Sequence, residues 1–484
     1  MDSTTVDAAR HGGQRAHKPG LLINRDFALL WSGQTVSIIG DMMFTTTLII
    51  WIATGLAARQ SWSPVAVSGV LLAASAPTLL IGLFAGVFVD RAEKRSLMLW
   101  MDGLRAIIVA LLIVASGAFP LPFVTGGRLP LFWTLGLIYG VVVLVNAGEQ
   151  FFRPSSMALI QDIVPTEQQA RAMGLMQVSI SIALIVGPAL AAPLYAGFGP
   201  QYALLIDAAS FAISYLTIVA LRPSYPAAHA QADAPRQGFW RELLAGIRFY
   251  FSNRVLVTLL IAIVVGVSGA SALNTLDIFF ATQNLHATTA MYGLIGGIFG
   301  LGAILGSILF GVVAQRMGLS RTLWTTMTLF GLLVVVVSRI TSYEVALGIF
   351  LAFGALNAGL NVAAGPMMLR ETPRELMGRV MSIFQPVMNL AILVSTAAVG
   401  YLAGVTLRGF HATWLGMSFA TVDTIYLGGG VLMTLAGLVI MVGLRGVDRR
   451  YRREDQAAAA ATTSDPATEA AIVEASAAPA PASL

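Results

Sequence analysis

Cysteine is absent from this 484-residue chain, and charged side chains make up only 11% of it. The lack of cysteine excludes disulfides, thiolate metal sites and cysteine-based catalysis. An ordinary soluble domain is about 25% charged, whereas 57% of this chain is hydrophobic. A soluble fold of this length could not bury so much apolar side chain, so lipid must be the solvent for much of it.

The motifs of several other protein classes are also missing. All five histidines lie in predicted tails or connections, namely His11, His17, His229, His286 and His411. We therefore expect neither a metal site nor a buried histidine relay. The sequence contains no H-E-x-x-H, G-x-S-x-G or G-x-x-x-x-G-K-[ST] motif, which argues against an enzyme and against ATP as the energy source. We expect no catalytic residues, no cofactor and no nucleic-acid partner.

Apolar runs of membrane-spanning length recur from Phe27 onward. A transmembrane helix needs about 20 predominantly apolar residues. Twelve segments meet this requirement: 27–55, 65–89, 96–119, 130–154, 169–196, 201–221, 255–283, 288–314, 322–341, 343–369, 377–404 and 422–445. The sequence therefore predicts an all-α membrane protein with twelve transmembrane helices.

The distribution of lysine and arginine predicts the orientation of these spans. With the N-terminus inside, 24 of the 29 basic residues fall in connections on that side, and four fall on the other. Cytoplasmic connections of membrane proteins carry this excess. We expect a multi-pass protein of the cytoplasmic (inner) membrane with both termini in the cytoplasm.

The two halves of the chain share motifs in the same order, which indicates an internal duplication. The matches are Asn24-Arg25 with Asn253-Arg254, Gly40 with Gly269, Gly86 to Arg91 with Gly311 to Arg316, Asn146-Ala147-Gly148 with Asn357-Ala358-Gly359, and Pro165 and Arg171 with Pro373 and Arg379. Two repeats that face a midplane cavity are a transporter design.

This duplication predicts two pseudo-symmetric six-helix bundles, at 24–221 and 255–446. A central cytoplasmic loop at 222–254 would join them. We expect residues 1–23 and 447–484 to be disordered cytoplasmic segments, because they are polar or rich in Ala, Pro, Thr and Glu.

The most specific motif follows the second predicted span. It reads Gly86-Val-Phe-Val-Asp90-Arg91-Ala-Glu-Lys94-Arg95, and Arg316 ends a degenerate copy after the eighth span. This motif resembles the cytoplasmic signature of the major facilitator superfamily, which implies that fold for residues 24–445. The glycine permits close helix approach, and the charges at the helix end could pair as a gate. The alternative is a solvated loop that only follows the bias of basic residues.

Two further stretches narrow the resemblance to exporters. Gly187 and Pro188 lie in a segment similar to the Gly- and Pro-rich motif of drug:proton antiporters, with alanine for glycine at its two ends. Pro188 would bend that helix. Residues 24–211 look like the branch that includes macrolide efflux pumps and the enterobactin exporter. The arginine that many drug antiporters carry in the fourth span is absent, and Glu149 and Arg153 are found there instead.

Asp41 is the charged residue predicted to lie deepest in the membrane, about 21 Å into the first span at 1.5 Å per residue. An ionised carboxylate is costly there. It has no basic neighbour in sequence, so it needs a distant partner, hydration or a proton. We predict that Asp41 carries the coupling proton or contacts a cationic substrate.

Four other charges in the spans have helical ion-pair spacing. Asp102 with Arg105 is an i,i+3 pair, and Glu149 with Arg153 is an i,i+4 pair. They would form a cytoplasmic relay or gate, or a purely structural pairing. Asp207 in the sixth span is a further candidate for proton coupling, with local hydrogen bonding as the alternative.

Polar side chains in the spans are candidates for lining a substrate cavity. They are Gln34 and Ser37, on the helical face of Asp41, together with Gln177, Gln385 and Asn389. Many Met and Phe residues also occur at mid-membrane depth, as in promiscuous binding surfaces. Packing against lipid or protein is the alternative for each of them.

These observations predict a secondary active transporter that exports amphipathic small molecules, either drug-like compounds or siderophores. Alternating access and proton antiport would drive the export. A proton-coupled nutrient importer of the same fold is the alternative, and a membrane-embedded enzyme or a transport-inactive sensor fits less well. The expected partners are the substrate, protons and the lipid bilayer, and we expect a monomer.

Overall fold

The computed structural model describes residues 23–113, 129–222, 247–373, 376–414 and 417–463. In the first half the helices are α1 Arg25–Ile50, α2 Ser63–Leu80, α3 Gly82–Arg91, α4 Lys94–Ile113, α5 Leu131–Ile163, α6 Gln169–Phe198 and α7 Pro200–Val219. In the second half they are α8 Arg254–Phe279, α9 Thr289–Met317, α10 Leu319–Val337, α11 Tyr343–Glu371, α12 Met377–Tyr401, α13 Thr421–Gly443 and α14 Val447–Thr463.

Twelve of the described helical segments are long and apolar enough to cross a membrane, which confirms the predicted fold class. Short π-helical turns extend α1, α8 and α12, at Trp51–Leu56, Phe280–Asn284 and Leu402–Thr406. A two-stranded antiparallel hairpin, His411–Trp414 with Met417–Ala420, precedes α13. The sequence did not indicate this hairpin.

Two predicted spans differ from the observed helices. The second predicted span, 65–89, consists of α2 and α3 with a break at Ile81. Pro77 lies in the last turn of α2, and its carbonyl still accepts from the backbone N–H of Ile81 at 2.8 Å. The predicted fourth span ends at 154, but α5 continues to Ile163 and contains Pro154.

The described chain divides into two compact units. Unit 1 contains residues 23–58, 72–113, 129–222 and 289–297, and unit 2 contains the rest. The start of α2 and the start of α9 therefore pack with the opposite half of the chain. In unit 2, Ser68 of α2 lies against Gly400 of α12. In unit 1, a Cβ added to Gly293 of α9 would lie 2.7 Å from the carbonyl oxygen of Pro188 in α6.

Equivalent asparagines begin the first helix of each half. Asn24 caps α1 and Asn253 caps α8, each with its side-chain oxygen on backbone N–H groups of the first turn. The amide nitrogen of each asparagine also reaches the end of the fourth membrane span of its own half, which is α5 in the first half and α11 in the second. The Asn24 amide donates to the Ile163 carbonyl at 2.7 Å, and the Asn253 amide donates to the Glu371 carboxylate at 3.1 Å. Since residues 163 and 371 both lie two positions before the matched prolines, these contacts are those expected of a duplication.

Residues 447–463 form α14, so the prediction of disorder from residue 447 is wrong for this stretch. Tyr451 is buried, and burial raises its pKa above the usual value. Its hydroxyl donates to Glu371 at 2.6 Å. Asp448 accepts from the backbone N–H of Ser320 at 2.9 Å, at the start of α10. These contacts, and an alanine run of high helix propensity, order the helix.

Other predicted segments lie outside the described residues. They are the N-terminal segment before residue 23, the end of the third predicted span at 114–119, residues 223–246 of the predicted loop at 222–254, and the tail after residue 463.

Candidate functional site

Asp41 and Arg105 form an ion pair in the middle of unit 1. Nη2 of Arg105 in α4 lies 2.9 and 3.1 Å from the two carboxylate oxygens of Asp41 in α1. Sequence analysis assigned Arg105 to Asp102 and left the partner of Asp41 open. The distant partner is therefore the arginine of the third span, 64 residues along the chain.

Two more carboxylates belong to the same cluster. Nη1 of Arg105 lies 3.8 Å from Asp102, so the predicted i,i+3 pair exists but is looser than the pair with Asp41. Asp207 of α7 interacts electrostatically with both Asp41 and Arg105. The guanidinium also lies over the ring of Phe211, 4.1 Å from its centre, which adds a cation–π contact. We call Asp41, Asp102, Arg105 and Asp207 the charged cluster.

Burial distinguishes Asp41 from the other members of the charged cluster. Asp102 and Asp207 are fully buried, and the Arg105 side chain is only 2% exposed, whereas the Asp41 side chain is 22% exposed. Both oxygens of Asp102 and one oxygen of Asp207 have no hydrogen-bond partner among the described residues. Asp41 is thus the most accessible of the three carboxylates in the cluster.

The predicted pair between Glu149 and Arg153 is not formed in the described part of the chain. Arg153 is exposed, and Glu149 is half-buried on α5. Glu149 instead lies close enough to Arg105 and Asp41 to interact with both electrostatically. The i,i+4 spacing places Glu149 and Arg153 on one face of α5, but the arginine with which Glu149 interacts is Arg105 of the neighbouring α4.

Glycines allow the helices that carry these charges to approach each other. At Gly40 of α1 an added Cβ would lie 2.7 Å from an Asp207 carboxylate oxygen, so a larger residue would displace Asp207. At Gly148 of α5 it would lie 3.3 Å from the aliphatic part of Arg105. Both glycines were identified in the sequence as members of the internal repeat. Their packing explains why small residues occupy these positions.

Gly187 of the predicted exporter motif packs against the residue that follows Asp41. A Cβ at position 187 would meet the Met42 side chain and lie 3.3 Å from the Met42 backbone. Pro188 lies within a continuous α6 that also contains Pro193. The motif therefore brings α6 against the part of α1 that carries Asp41.

Replacement of Gly187 by Ala should lower the thermal stability of the purified protein, because it overpacks the contact with Met42. Overpacking of this kind costs about 1–3 kcal/mol. Gly174→Ala in the same helix is the matched control, because nothing lies within 4 Å of a Cβ there. Thermal unfolding in detergent measures the difference, and equal unfolding temperatures for the two variants would contradict this packing.

Residues of the predicted gate motif are only partly described. Gly86, Asp90 and Arg91 belong to α3, and their side chains lie outside the described part of the structure. Lys94 donates to Asp162 at 2.8 Å, which ties α4 to the end of α5. Arg95 donates to the carbonyl of Val219 at 2.8 Å, at the end of α7.

In the second copy of the motif, Arg316 is exposed. Its backbone carbonyl accepts from Arg452 of α14 at 3.2 Å.

Unit 2 contains an apolar cavity of about 500 Å³, which sequence analysis did not locate as a whole. Five methionines line it, namely Met327, Met368, Met381, Met388 and Met433. Phe330, Phe384 and the amides of Asn357, Asn361 and Gln385 also line it, and none of its lining residues carries a charge. This volume is within the range of small-molecule sites, and thioether side chains adapt to ligands of different shape.

The polar residues predicted to line a cavity differ in accessibility. Gln385 lines the cavity in unit 2, and Asn389 is half-buried one helical turn further along α12. Gln177 is exposed on α6. Gln34 and Ser37 are buried, and Gln34 donates to Ser156, so neither is available to a ligand here. Amphipathic spacing identified their common face but could not show that this face packs against α5.

Several residues that line the cavity in unit 2 align, in the sequence repeat, with charged residues of unit 1. The register that aligns Arg91 with Arg316 pairs Asp102 with Met327 and Arg105 with Phe330. The asparagine register pairs Asp41 with Ala270, which also lines the cavity. In the same way, Asn146 and Asn357 pair Glu149 with Leu360, another lining residue. In these registers, the charged positions of unit 1 correspond to apolar positions of unit 2 that line the cavity.

Comparison with known proteins identifies the family. A family model described as "Transmembrane secretion effector" matches residues 20–438. The chain is 23% identical to the "Uncharacterized MFS-type transporter YkuC" of Bacillus subtilis over 87% of this chain and 93% of that protein. It is 24% identical to "Macrolide efflux protein A" of Streptococcus pyogenes over 63% of this chain and 70% of that protein. It is also 24% identical to "Multidrug efflux pump Tap" of Mycolicibacterium fortuitum, over 74% and 85%.

Solved structures support the same fold. A bacterial homologue of the iron transporter ferroportin in the inward-facing state matches with a TM-score of 0.65 and 14% identity, over 88% of this chain and all of that one. The nucleoside transporter NupG matches with a TM-score of 0.60 and 12% identity, over 87% of this chain and all of that one. The family match includes the stretch from Gly86 to Arg95, which resembles the signature of the major facilitator superfamily. The chain belongs to the transmembrane secretion effector family of the major facilitator superfamily, whose members are transporters.

Proposed function

We propose that this protein exports amphipathic small molecules from the cytoplasm in exchange for protons, by alternating access of two six-helix bundles. It would lie in the cytoplasmic membrane with both termini inside, as the basic residues of the connections predict. The observation that carries the proposal is the charged cluster, which places three carboxylates around one buried guanidinium in the interior of unit 1.

The charge balance of this cluster favours proton binding. If Asp41, Asp102 and Asp207 were all ionised, Arg105 could compensate only one of the three negative charges. Uncompensated charges are strongly disfavoured in a buried, low-dielectric environment. The cluster is therefore expected to hold protons, and the partly exposed Asp41 is the position at which they enter and leave.

A proton on Asp41 would change the partner of Arg105. The guanidinium already contacts Asp41 closely and Asp102 more distantly, at 2.9 and 3.8 Å. Neutralisation of Asp41 removes the closer attraction and leaves Asp102 as the charged partner. Met42, the next residue in α1, packs against Gly187 of α6. The change in the partner of Arg105 therefore occurs beside a contact between two helices. Two alternative pairings of one arginine provide the two-state element that proton coupling requires.

The cavity in unit 2 is the proposed substrate site. Its methionine and phenylalanine side chains suit the apolar part of an amphipathic ligand. The Gln385 amide lines the cavity and makes no hydrogen bond among the described residues, so it can bind a polar group of the ligand. Since the lining carries no charge, neutral compounds fit it better than ions. The efflux function of two relatives, named a macrolide efflux protein and a multidrug efflux pump, favours export over uptake.

A compound screen tests this function. Everted membrane vesicles with an imposed pH gradient, acidic inside, would be offered macrolides, lipophilic cations and catecholate iron chelators. At least one class should accumulate only when the protein is present and the gradient is intact. Accumulation that survives collapse of the gradient, or no accumulation of any class, would contradict proton-driven export.

Filling the cavity should weaken substrate binding without affecting the proton site. Ala270→Trp places an indole among the lining residues, and the loss of ligand contacts should lower affinity at least about tenfold. Leu329→Trp is the matched control, because Leu329 is 51% exposed on the adjacent α10. Binding of the selected compound to purified protein measures the effect. Equal affinities in the two variants would place the substrate elsewhere.

A further inference from the structure

A basic groove lies at one end of unit 2, between the start of α8 and the junction of α13 with α14. It has a volume of about 550 Å³. Its lining consists of Phe249, Ser252, Asn253, Arg254, Val255, Gly443, Arg445, Gly446, Val447 and Arg450. Three of these residues are arginines and none is acidic, so the groove is a place of concentrated positive charge.

Two of the arginines, Arg254 and Arg445, have no acidic partner among the described residues and are available to a ligand. Arg254 donates to the backbone carbonyl of Val442 at 3.3 Å and makes no ion pair within the described residues. Arg445 likewise forms no ion pair in that part of the chain. Arg450 is paired with Glu371, which also accepts from Tyr451 and Asn253. Arg450 also pairs with Glu454, at 3.5 Å, so among the described residues these two carboxylates neutralise Arg450 and not Arg254 or Arg445.

The groove lies where two membrane spans reach the membrane border. One span begins at Arg254 and the other ends at Gly443. The two helices are in contact there, because a Cβ at Gly443 would lie 3.0 Å from Cβ of Thr258. Next to the arginines, Phe251 and Val442 are 61% and 50% exposed. Charged groups and exposed apolar side chains therefore meet at the depth at which lipid headgroups join their acyl chains.

We propose that this groove binds the phosphate headgroup of an anionic phospholipid. Guanidinium groups bind phosphate oxygens through paired hydrogen bonds, and basic pockets between transmembrane helices on the cytoplasmic side suit anionic headgroups. The acyl chains would extend along the exposed faces of α8 and α13. A lipid bound here would hold α14 against the ends of the two spans. This site depends on the membrane setting and not on proton coupling.

Native mass spectrometry of the detergent-solubilised full chain tests the proposal. Phosphatidylglycerol and phosphatidylcholine with the same acyl chains are the two lipid probes, and inorganic phosphate is a competitor. The wild type should retain one phosphatidylglycerol selectively. Each basic group near a membrane surface contributes roughly fivefold to affinity for anionic lipid, so Arg254→Gln with Arg445→Gln should weaken retention about 30-fold.

The matched control removes the same charge elsewhere. Arg449→Gln with Arg453→Gln neutralises two exposed arginines of α14 that do not line the groove, and it should retain the lipid as the wild type does. Arg445→Gln alone covers the case in which loss of Arg254 impairs folding, and it should weaken retention about fivefold. Equal loss in the groove and control variants would overturn the proposal. Retention of phosphatidylcholine, or displacement of the lipid by inorganic phosphate, would also overturn it.

Discussion

Asp41→Asn is expected to abolish accumulation of substrate against a gradient. Asparagine keeps the shape of the side chain and an oxygen for Arg105, but it cannot exchange a proton. For one-for-one exchange of an uncharged substrate, a pH difference of about one unit supports about tenfold accumulation. Wild-type everted vesicles should approach that ratio, whereas the variant should only equilibrate the substrate. Downhill exchange of substrate should persist, because it needs no net proton movement.

A neutral variant of a surface carboxylate controls for this experiment. Glu167→Gln removes an exposed acid of unit 1 that lies outside the charged cluster and outside the gate motif. Its accumulation ratio should equal that of the wild type. If Asp41→Asn also concentrates substrate as the wild type does, Asp41 serves only in packing or hydrogen bonding. The coupling residue would then be sought at Glu149 or Asp207.

Arg105→Gln should have the largest effect on stability. The change leaves the three carboxylates of the charged cluster without a cation, and Asp102 and Asp207 are fully buried. Removal of one partner from a buried ion pair costs about 3–5 kcal/mol. The unfolding temperature in detergent should fall strongly, and substrate accumulation should be lost. Arg153→Gln is the control, because Arg153 is exposed and should tolerate the change.

A second variant keeps this prediction testable if Arg105→Gln does not fold. Combined with Asp41→Asn, the substitution removes both partners of the closest pair and leaves less uncompensated charge. The double variant should therefore be more stable than Arg105→Gln alone, which a double-mutant cycle would register as coupling between the two sites. Additive losses, or equal stability of Arg105→Gln and Arg153→Gln, would show that the pair contributes nothing.

Local sequence patterns predicted the fold because membrane spans are specified locally. Apolar length and the positions of basic residues were enough for twelve spans, since lipid imposes both requirements on each helix separately. The matched asparagines predicted the repeat, and their parallel contacts with Ile163 and Glu371 agree with it. The tail helix was missed because its order depends on Tyr451 and Asp448 docking onto distant helices.

Prediction of the site failed where contacts between helices decide the partner. Asp41 was correctly singled out by its depth, but spacing alone assigned Arg105 to Asp102 and Glu149 to Arg153. The shorter contact of Arg105 is with Asp41, which no rule of helical spacing could provide. The alignment of the two sequence repeats could have predicted the position of the cavity. It pairs each of these charges with an apolar residue, and those residues line the cavity of unit 2.

Measurement of proton movement triggered by substrate is the most direct test of proton exchange at Asp41. Everted vesicles are loaded at acidic pH with a pH-sensitive dye inside, and the compound selected by the screen is added outside. In wild-type vesicles the interior should become less acid as substrate enters, because protons leave in exchange. Asp41→Asn vesicles should take up substrate without this signal, and Glu167→Gln vesicles should behave as the wild type. Substrate entry in the wild type with no change of internal pH, or an unchanged signal in Asp41→Asn, would contradict proton exchange at Asp41.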